Sequence, residues 1–455
     1  MRAGPGELLV GAAMANISPP VGCPMGGYSA RKGLAERVAA PLMCRAFVFD
    51  DGATPLAVVS CDLLYATFDM VTIARRLIGE ALGWPGSSVM VNATHTHSGP
   101  AGLTLGLDST YVELVARQVA SAVATAYRDR RPALLEYSEA RVGSLGRNRR
   151  DPEGPAETTA RFLIAEAVET GGTIATIISY ACHATVLEHD NLAISPDFPG
   201  AAVAVVEQLV GGQAAYLQGC AGSINPVWMR HDHGEAARLG RILGTAAARA
   251  VDEARPLGRG QWVVNLSRAE DVPVDPTGCR LVEAGPLSSS STTVKLTRKA
   301  RKEAAELEAA YQEVLQALGA ETDEARRQSL AARRAALQME VHFASHPYRY
   351  ATRNAPGAGD RQPDEVEVQV LRLGPSTAIV GLPGEPFLGI ADQIRQRAGD
   401  WDLIVAGYAN EAIGYVPTAN EFSFDGYEVG CARYTEEAAQ ALVEGVLGIL
   451  GPPRR

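Results

Sequence analysis

Residues 45–92, RAFVFDDGATPLAVVSCDLLYATFDMVTIARRLIGEALGWPGSSVMVN, decide the fold class. Two apolar, β-branched runs flank Asp50-Asp51-Gly52, a turn that predicts a β-hairpin. From Phe68 to Gly83, apolar residues fall at Val71, Ala74, Leu77, Ile78, Ala81 and Leu82. This is the 3.6-residue rhythm of an amphipathic helix, which Gly83 and Pro85 stop. A short strand, Ser88 to Asn92, follows at once and runs into Ala93-Thr94-His95-Thr96-His97-Ser98-Gly99-Pro100.

Outward from this unit the same alternation holds. An earlier β-run (LLVGAAMANISP, from Leu8) precedes it. A helix over Tyr111–Tyr127, strands over Leu134–Val142 and Thr173–Cys182, a helix over Ala201–Leu209 and a strand over Ala214–Gln218 come after it. The pattern predicts a layered α/β domain with a central mixed β-sheet flanked by helices. Residues 297–341 break it with charge and alanine around Ala300, Ala304, Leu307, Tyr311, Val314 and Leu315, then Gly319. They read as a helical hairpin insertion, either a solvated structural element or an arm for oligomerisation. Strands over Val366–Leu371 and Thr377–Leu382, a helix after Pro386 and a last helix over Thr435–Leu450 complete one domain, residues 1–455. The stretches Leu103–Ser109 and Asp271–Ser291 read as loops.

Composition narrows the function classes. Apolar residues make up 46% and charged residues 21%, which suits a packed globular core. No run reaches the ~18 apolar residues of a membrane span, and the first ten residues show no basic-then-apolar leader, so the chain is read as cytoplasmic. The net charge is 42 − 52 = −10 with no separate basic cluster, which argues against nucleic acid as a partner. Seven scattered cysteines without a CxxC pair argue against a disulfide framework or a thiolate zinc site. No HExxH, GxSxG, P-loop or GxGxxG string occurs, so the usual zincin, α/β-hydrolase and nucleotide-binding signatures are missing.

Three strand-to-loop junctions deliver metal-capable residues into turns of small residues: Met90–Pro100 with His95 and His97, Ile177–Thr185 with His183, and Ile379–Phe387 with Glu385. Imidazole and carboxylate are the ligands of catalytic zinc sites. A hydrogen-bonded core or turn residue is the plain alternative for each. Asp62 and Asp197 read either as partners orienting those histidines or as turn and cap residues. His231-Asp232-His233 reads either as pocket lining or as a solvated loop.

With these residues in hand, the chain resembles the neutral/alkaline non-lysosomal ceramidase family, specifically its N-terminal catalytic domain, over nearly its whole length. The carrying motifs are GAAMANISPPVG, GGYSARKG, THTHSGP (Thr94–Pro100), Ala181-Cys182-His183-Ala184-Thr185, Pro383-Gly384-Glu385 and Gly414-Tyr415-Val416-Pro417-Thr418. The resemblance implies a zinc ion held by His95, His183, Glu385 and Tyr415. It implies that His97 and Tyr427 contact the reacting carbonyl, and that Arg149 of Asn148-Arg149 orients substrate. The family's Gly-Asp-Val-Ser-Pro segment matches Gly222-Ser223-Ile224-Asn225-Pro226, so Asn225 stands at the active-site serine and Ser223 at the aspartate; a one-residue shift would put Ser223 on the serine. No signal peptide and no C-terminal β-sandwich are read in this chain. The expected activity is zinc-dependent hydrolysis of a linear amide, N-acyl amides included, on a small-molecule substrate. Acyl transfer, amide formation or cyclisation at the same site is the rival enzymatic reading, and a metal-stabilised binding protein is the third.

Overall fold

The computed structural model describes residues 7–101, 109–143, 145–254, 262–265, 271–274, 279–300, 303–345, 364–424 and 426–453. Its centre is a mixed nine-stranded sheet. In spatial order the strands are Gln213–Gln218, Thr173–Tyr180, Thr159–Ala167, Arg131–Arg141, Leu9–Asn16, Met43–Asp50, Pro55–Cys61 and Val89–Ala93, with Cys279–Leu281 also paired to Arg131–Arg141. The pairs at the two ends of this order are parallel and those between are antiparallel. The hairpin around Asp50-Asp51-Gly52 forms as expected, with Cys44 opposite Cys61 and Asp50 opposite Pro55. The helix Phe68–Leu82 ends on Gly83 at φ +74°, the left-handed cap its sequence predicts.

Successive strand residues point to opposite faces, and here both faces are buried. Ala46 and Val48 pack with Ala74, Ile78, Val119 and Val123 of the helices Phe68–Leu82 and Ser109–Arg128. Phe162 and Ile164 pack with Val203, Val206, Leu239 and Leu243 of the helices Asp197–Val210 and His233–Ala254. Phe47, Phe49, Leu163 and Ala165 point the other way and meet Leu371, Ile379 and Ile404. Those three belong to a second sheet of four strands, Ser288–Lys295, Glu365–Arg372, Thr377–Gly381 and Asp402–Ala406. Its far face carries Val380 and Val405, covered by Ile390, Ile394, Leu442 and Val446 of the helices Leu388–Ala398 and Ala438–Leu450.

The central mixed sheet flanked by helices is as the sequence predicts, and a second sheet stacked on its other face, which the sequence does not announce, makes the layering helices, sheet, sheet, helices. Strands buried on both faces carry the same apolar run whether they share a sheet or stack as two. Asp271–Ser291 also departs from its reading as a loop: Asp271–Val274 pairs with Trp262–Asn265, Cys279–Leu281 joins the large sheet, and Ser288–Lys295 edges the small one. The Ser/Thr-rich edge strand hides from a hydropathy pattern because it is only partly covered. Of the other stretch read as a loop, residues 103–108 lie outside the described residues. The helical hairpin is present as Ala304–Ala320 and Glu324–Ser345, with a small core of Leu307, Val314 and Leu337. Its second helix packs against the short helix Tyr427–Cys431, where a Cβ at Gly430 would lie 3.5 Å from Ala336 Cβ. Among the described residues no helix is long and apolar enough to cross a membrane.

One pair of side chains goes against the apolar pattern. Glu136 (opposite Ile164) and Glu166 (opposite Leu134) sit on neighbouring strands, both buried. Burial, and then repulsion by Glu166, push the Glu136 carboxyl from its ordinary 4.5 up to about 8. The folded state then keeps a proton that the unfolded chain gives up. The contribution of Glu136 to stability is full below about pH 4.5, declines as pH rises, and is lost above about 8. Glu136→Gln should therefore melt like the wild type near pH 4.5 and above it at pH 8.5. Thermal melts at the two pH values test this, and a gap that does not widen with pH would count against it.

Candidate metal centre

The two histidine segments reach the centre from different strands and are then tied side by side. Val89–Ala93 ends at Thr94 and His95; Thr173–Tyr180 ends at Cys182 and His183. Thr96 forms a parallel bridge with Ala184, and His97 N donates to Ala184 O at 3.3 Å. His95 has φ +62°, a left-handed conformation unusual for a non-glycine residue. Such strain persists only where the surroundings impose it, and it concentrates at functional sites. The carboxylate arrives on a third element: Glu385–Pro386 pairs in parallel with Tyr415–Val416, which makes Glu385 the register partner of Tyr415. Gly384 permits this at φ +69°, since a Cβ there would meet Gly414 O at 2.5 Å.

His95 and His183 each direct Nδ1 at backbone carbonyls, Leu64 O at 2.8 Å and Ala221 O at 2.7 Å. That places the proton on Nδ1 and turns each Nε2 inward with a free lone pair, as is usual for metal-binding imidazoles. Glu385 Oε2 lies 3.4 Å from His95 Nε2 and 3.4 Å from His183 Nε2. His97 Nε2 is 3.1 Å from His95 Nε2. His95, His97, His183 and Glu385 are all buried, and both His183 Nε2 and Glu385 Oε2 are buried without a hydrogen-bond partner. Unpartnered buried polar atoms are costly. A tetrahedral ion with bonds of about 2.0–2.2 Å sets its ligand atoms roughly 3.3–3.6 Å apart, so the spacing and the orphaned atoms both fit a metal ion.

The charges fit as well. Burial, followed by the positive fields of His95 and His183, holds His97 well below its ordinary value. Burial and then Arg149 lower His183 to about 4. Burial alone would raise Glu385, but attraction to His95 and His183 outweighs it and holds the carboxyl well below its usual range. The lowered His97 and His183 and the lowered Glu385 match what a divalent cation requires of its donors, deprotonated imidazole nitrogen and ionised carboxylate.

The other candidates gather on one side. The Tyr415 ring stacks on His183, with centroids 6.5 Å apart and planes at 19°. Half-exposed Tyr427 meets Tyr415 edge-on at 5.7 Å. Arg149 lies over the Tyr415 ring, its Nη2 donates to Gly222 O at 2.8 Å, and its Nε pairs with Glu428 Oε1 at 2.7 Å. Glu428 also binds Arg150 at 2.9 Å, which fixes the Tyr427–Cys431 helix over the site. Asn225 Oδ1 stands 3.5 Å from Arg149 Nη1, whereas buried Ser223 accepts from Leu388 N at 3.4 Å, at the start of a helix. Asp62 and Asp197 follow the turn reading: Asp62 accepts from Met43 N, and Asp197 accepts from Leu187 N and Phe198 N. His231 is bound to the Val186–Glu188 segment through Val186 O and Glu188 Oε1.

Four residues of the site escaped the sequence reading. Tyr65 donates its hydroxyl to Glu385 Oε1. Tyr408, fully buried, lays its ring 4.3 Å from that of His95 and adopts φ +52°. Gln218 bonds Thr94 O and Cys182 O, the backbone just before His95 and His183. Tyr28 packs edge-on against His97 at 4.9 Å, next to Gly27, where a Cβ would lie 2.5 Å from the His97 ring. Only the last had a signal, the paired glycines of GGYSARKG, which mark a close backbone approach.

Comparison with known proteins agrees with this architecture. Residues 8–221 match the family model described as neutral/alkaline non-lysosomal ceramidase, N-terminal. The neutral ceramidase of Pseudomonas aeruginosa is 26% identical over 229 residues, covering 44% of this chain and 34% of that protein, so this match spans about a third of the relative's length. The neutral ceramidase of Mycobacterium tuberculosis is 23% identical over 497 residues, covering 96% of this chain and 76% of that protein. A crystal structure of the P. aeruginosa neutral ceramidase superposes with a TM-score of 0.70 at 20% identity, covering 98% of this chain and 74% of the other. A solved ceramidase complexed with C2 gives 0.69 at 20% identity, covering 99% and 76%. Residues 8–221 are thus similar to the neutral/alkaline non-lysosomal ceramidase family, and the chain has the fold of the solved neutral ceramidase.

Proposed function

We propose that this protein is a zinc-dependent hydrolase of a linear amide, with His95, His183, Glu385 and Tyr415 as the metal-holding residues. The observation that carries the reading is the pair of buried, unpartnered atoms, Glu385 Oε2 and His183 Nε2, spaced 3.4 Å apart around a common point with His95 Nε2. A zinc ion lowers the pKa of water toward ~7 and polarises a carbonyl. The chain's own groups do the rest. His97, held neutral by its burial, accepts and returns a proton at Nε2. Tyr427 and Asn225 offer donors to the developing oxyanion; loss of one such donor typically costs 10²–10³ in rate. Arg149, with donors engaged by Gly222 O, Asn225 and Glu428, suits holding the Tyr415 and Asn225 side chains more than gripping a substrate.

The relatives named above are ceramidases, so ceramide and simpler N-acyl amides are the first substrates to test. A centre this buried also suits acyl transfer to an amine, since water is partly excluded. The deciding experiment measures metal content of the purified protein and its release of fatty acid from fluorogenic N-acyl amides, with and without chelator. The expected result is stoichiometric zinc, chelator-sensitive hydrolysis, and loss of both in His183→Ala. A protein without transition metal whose His183→Ala variant keeps full activity would refute the reading. Condensed amide product without hydrolysis would favour acyl transfer.

A further inference from the structure

The segment Asp62–Tyr65, just past the strand Pro55–Cys61, holds two of the converging side chains at once. Leu63 O accepts from His95 N at 2.9 Å, and Leu64 O accepts from His95 Nδ1 at 2.8 Å. One residue on, buried Tyr65 donates its hydroxyl to Glu385 Oε1 and keeps its ring 5.3 Å from that of His95. The two carboxylate oxygens of Glu385 are thereby separated in role. Oε1 is engaged by the phenol, and Oε2 faces the two imidazole Nε2 atoms at 3.4 Å each.

A carboxylate can bind a metal through one oxygen or both, and its outer partners decide which. We propose that Tyr65 is a positioning residue that restricts Glu385 to one-oxygen coordination. It thereby keeps a position at the centre for the substrate carbonyl or water. The inference rests on the metal-centre reading given above. It goes further in giving a role to a residue that carries no ligand chemistry of its own, set by the same backbone stretch that orients His95. Release of Oε1 would let the carboxylate rotate and bind through both oxygens, raising the protein donor atoms from four to five and filling that position.

Tyr65→Phe removes the hydroxyl and keeps the ring. In the full chain, three quantities test the proposal: zinc affinity against a chromophoric chelator, the visible absorption of the cobalt(II)-loaded protein, and the melting temperature of the chelator-treated protein. The expected result is a 10–100-fold loss of affinity, typical of removing an outer partner of a ligand. The cobalt bands should also weaken, as they do when four-coordinate cobalt becomes five-coordinate, while the chelated form melts close to wild type. Unchanged affinity and an unchanged cobalt spectrum would overturn the proposal alone, even if the chelated variant melts lower, since that pattern belongs to a purely structural tyrosine. A wild-type protein that takes up no cobalt, or a Glu385→Gln variant that binds it as tightly as wild type, would overturn the metal reading and this proposal with it.

Discussion

Glu385→Gln should erase the gap in melting temperature between zinc-loaded and chelator-treated protein, and reduce amide hydrolysis by at least ~10³-fold, beyond the cost of a single oxyanion donor. The substitution keeps the shape of the side chain and the acceptor for Tyr65, but removes the only formal negative charge in the set of His95, His183, Tyr415 and Glu385. A ligand that binds the folded state stabilises it by RT ln(1 + [L]/Kd), about 4 kcal/mol at a thousandfold excess over Kd. The wild type should show that increment and the variant should not. The chelated variant should melt close to the chelated wild type, because the amide keeps the shape of the side chain and the acceptor for Tyr65. The zinc increment and the melting temperature of the chelated form are read separately, which separates ligand loss from general damage. Scanning calorimetry with and without zinc measures both, and a zinc-dependent rise in the variant equal to that of the wild type would sink the assignment of Glu385.

The same contrast explains what the sequence could and could not convey. His95, His97, His183 and Glu385 were legible because each ends an apolar strand and enters a turn of small residues, a local pattern. Tyr415 was legible only through the family resemblance, since a tyrosine after a glycine carries no chemistry by itself. Its pairing with Glu385 is a two-residue parallel bridge that no periodicity announces. Tyr65 and Gln218 were illegible for a stronger reason. Tyr65 finds its partner 320 positions away, and Gln218 finds Thr94 124 positions away, and each sits in a stretch whose apolar run already accounted for it. The strands were readable one by one. Their division into two stacked sheets was not, because Val380 and Ile379 face different layers while both are simply apolar.

Gln218 yields the second large effect. Its side chain is fully buried at the end of Gln213–Gln218, where Nε2 donates to Cys182 O at 2.7 Å and Thr94 O at 3.2 Å. Oε1 accepts from Cys182 N at 3.2 Å and from Tyr216 Oη at 3.0 Å. Its backbone is gripped in turn by Asn92, whose Oδ1 accepts from Gln218 N at 2.9 Å and whose Nδ2 donates to Gln218 O at 3.2 Å. Two side-chain amides thus join Val89–Ala93 and Gln213–Gln218, strands at opposite ends of the sheet order, and fix the residues that immediately precede His95 and His183. Gln218→Met conserves length and volume but strands two carbonyls and one N–H in the interior, each costing about 1–3 kcal/mol. Some of that loss will relax, so a net destabilisation of roughly 3–5 kcal/mol is expected from the shift in denaturation midpoint of the chelated protein. Zinc affinity should fall as well, because the separation of the two imidazoles is no longer imposed. The double variant with Asn92→Leu should cost less than the sum of the singles, since both act through one network. A loss below ~1 kcal/mol for Gln218→Met, or strict additivity in the double variant, would show that the strands are held together by backbone and apolar packing without the amide pair.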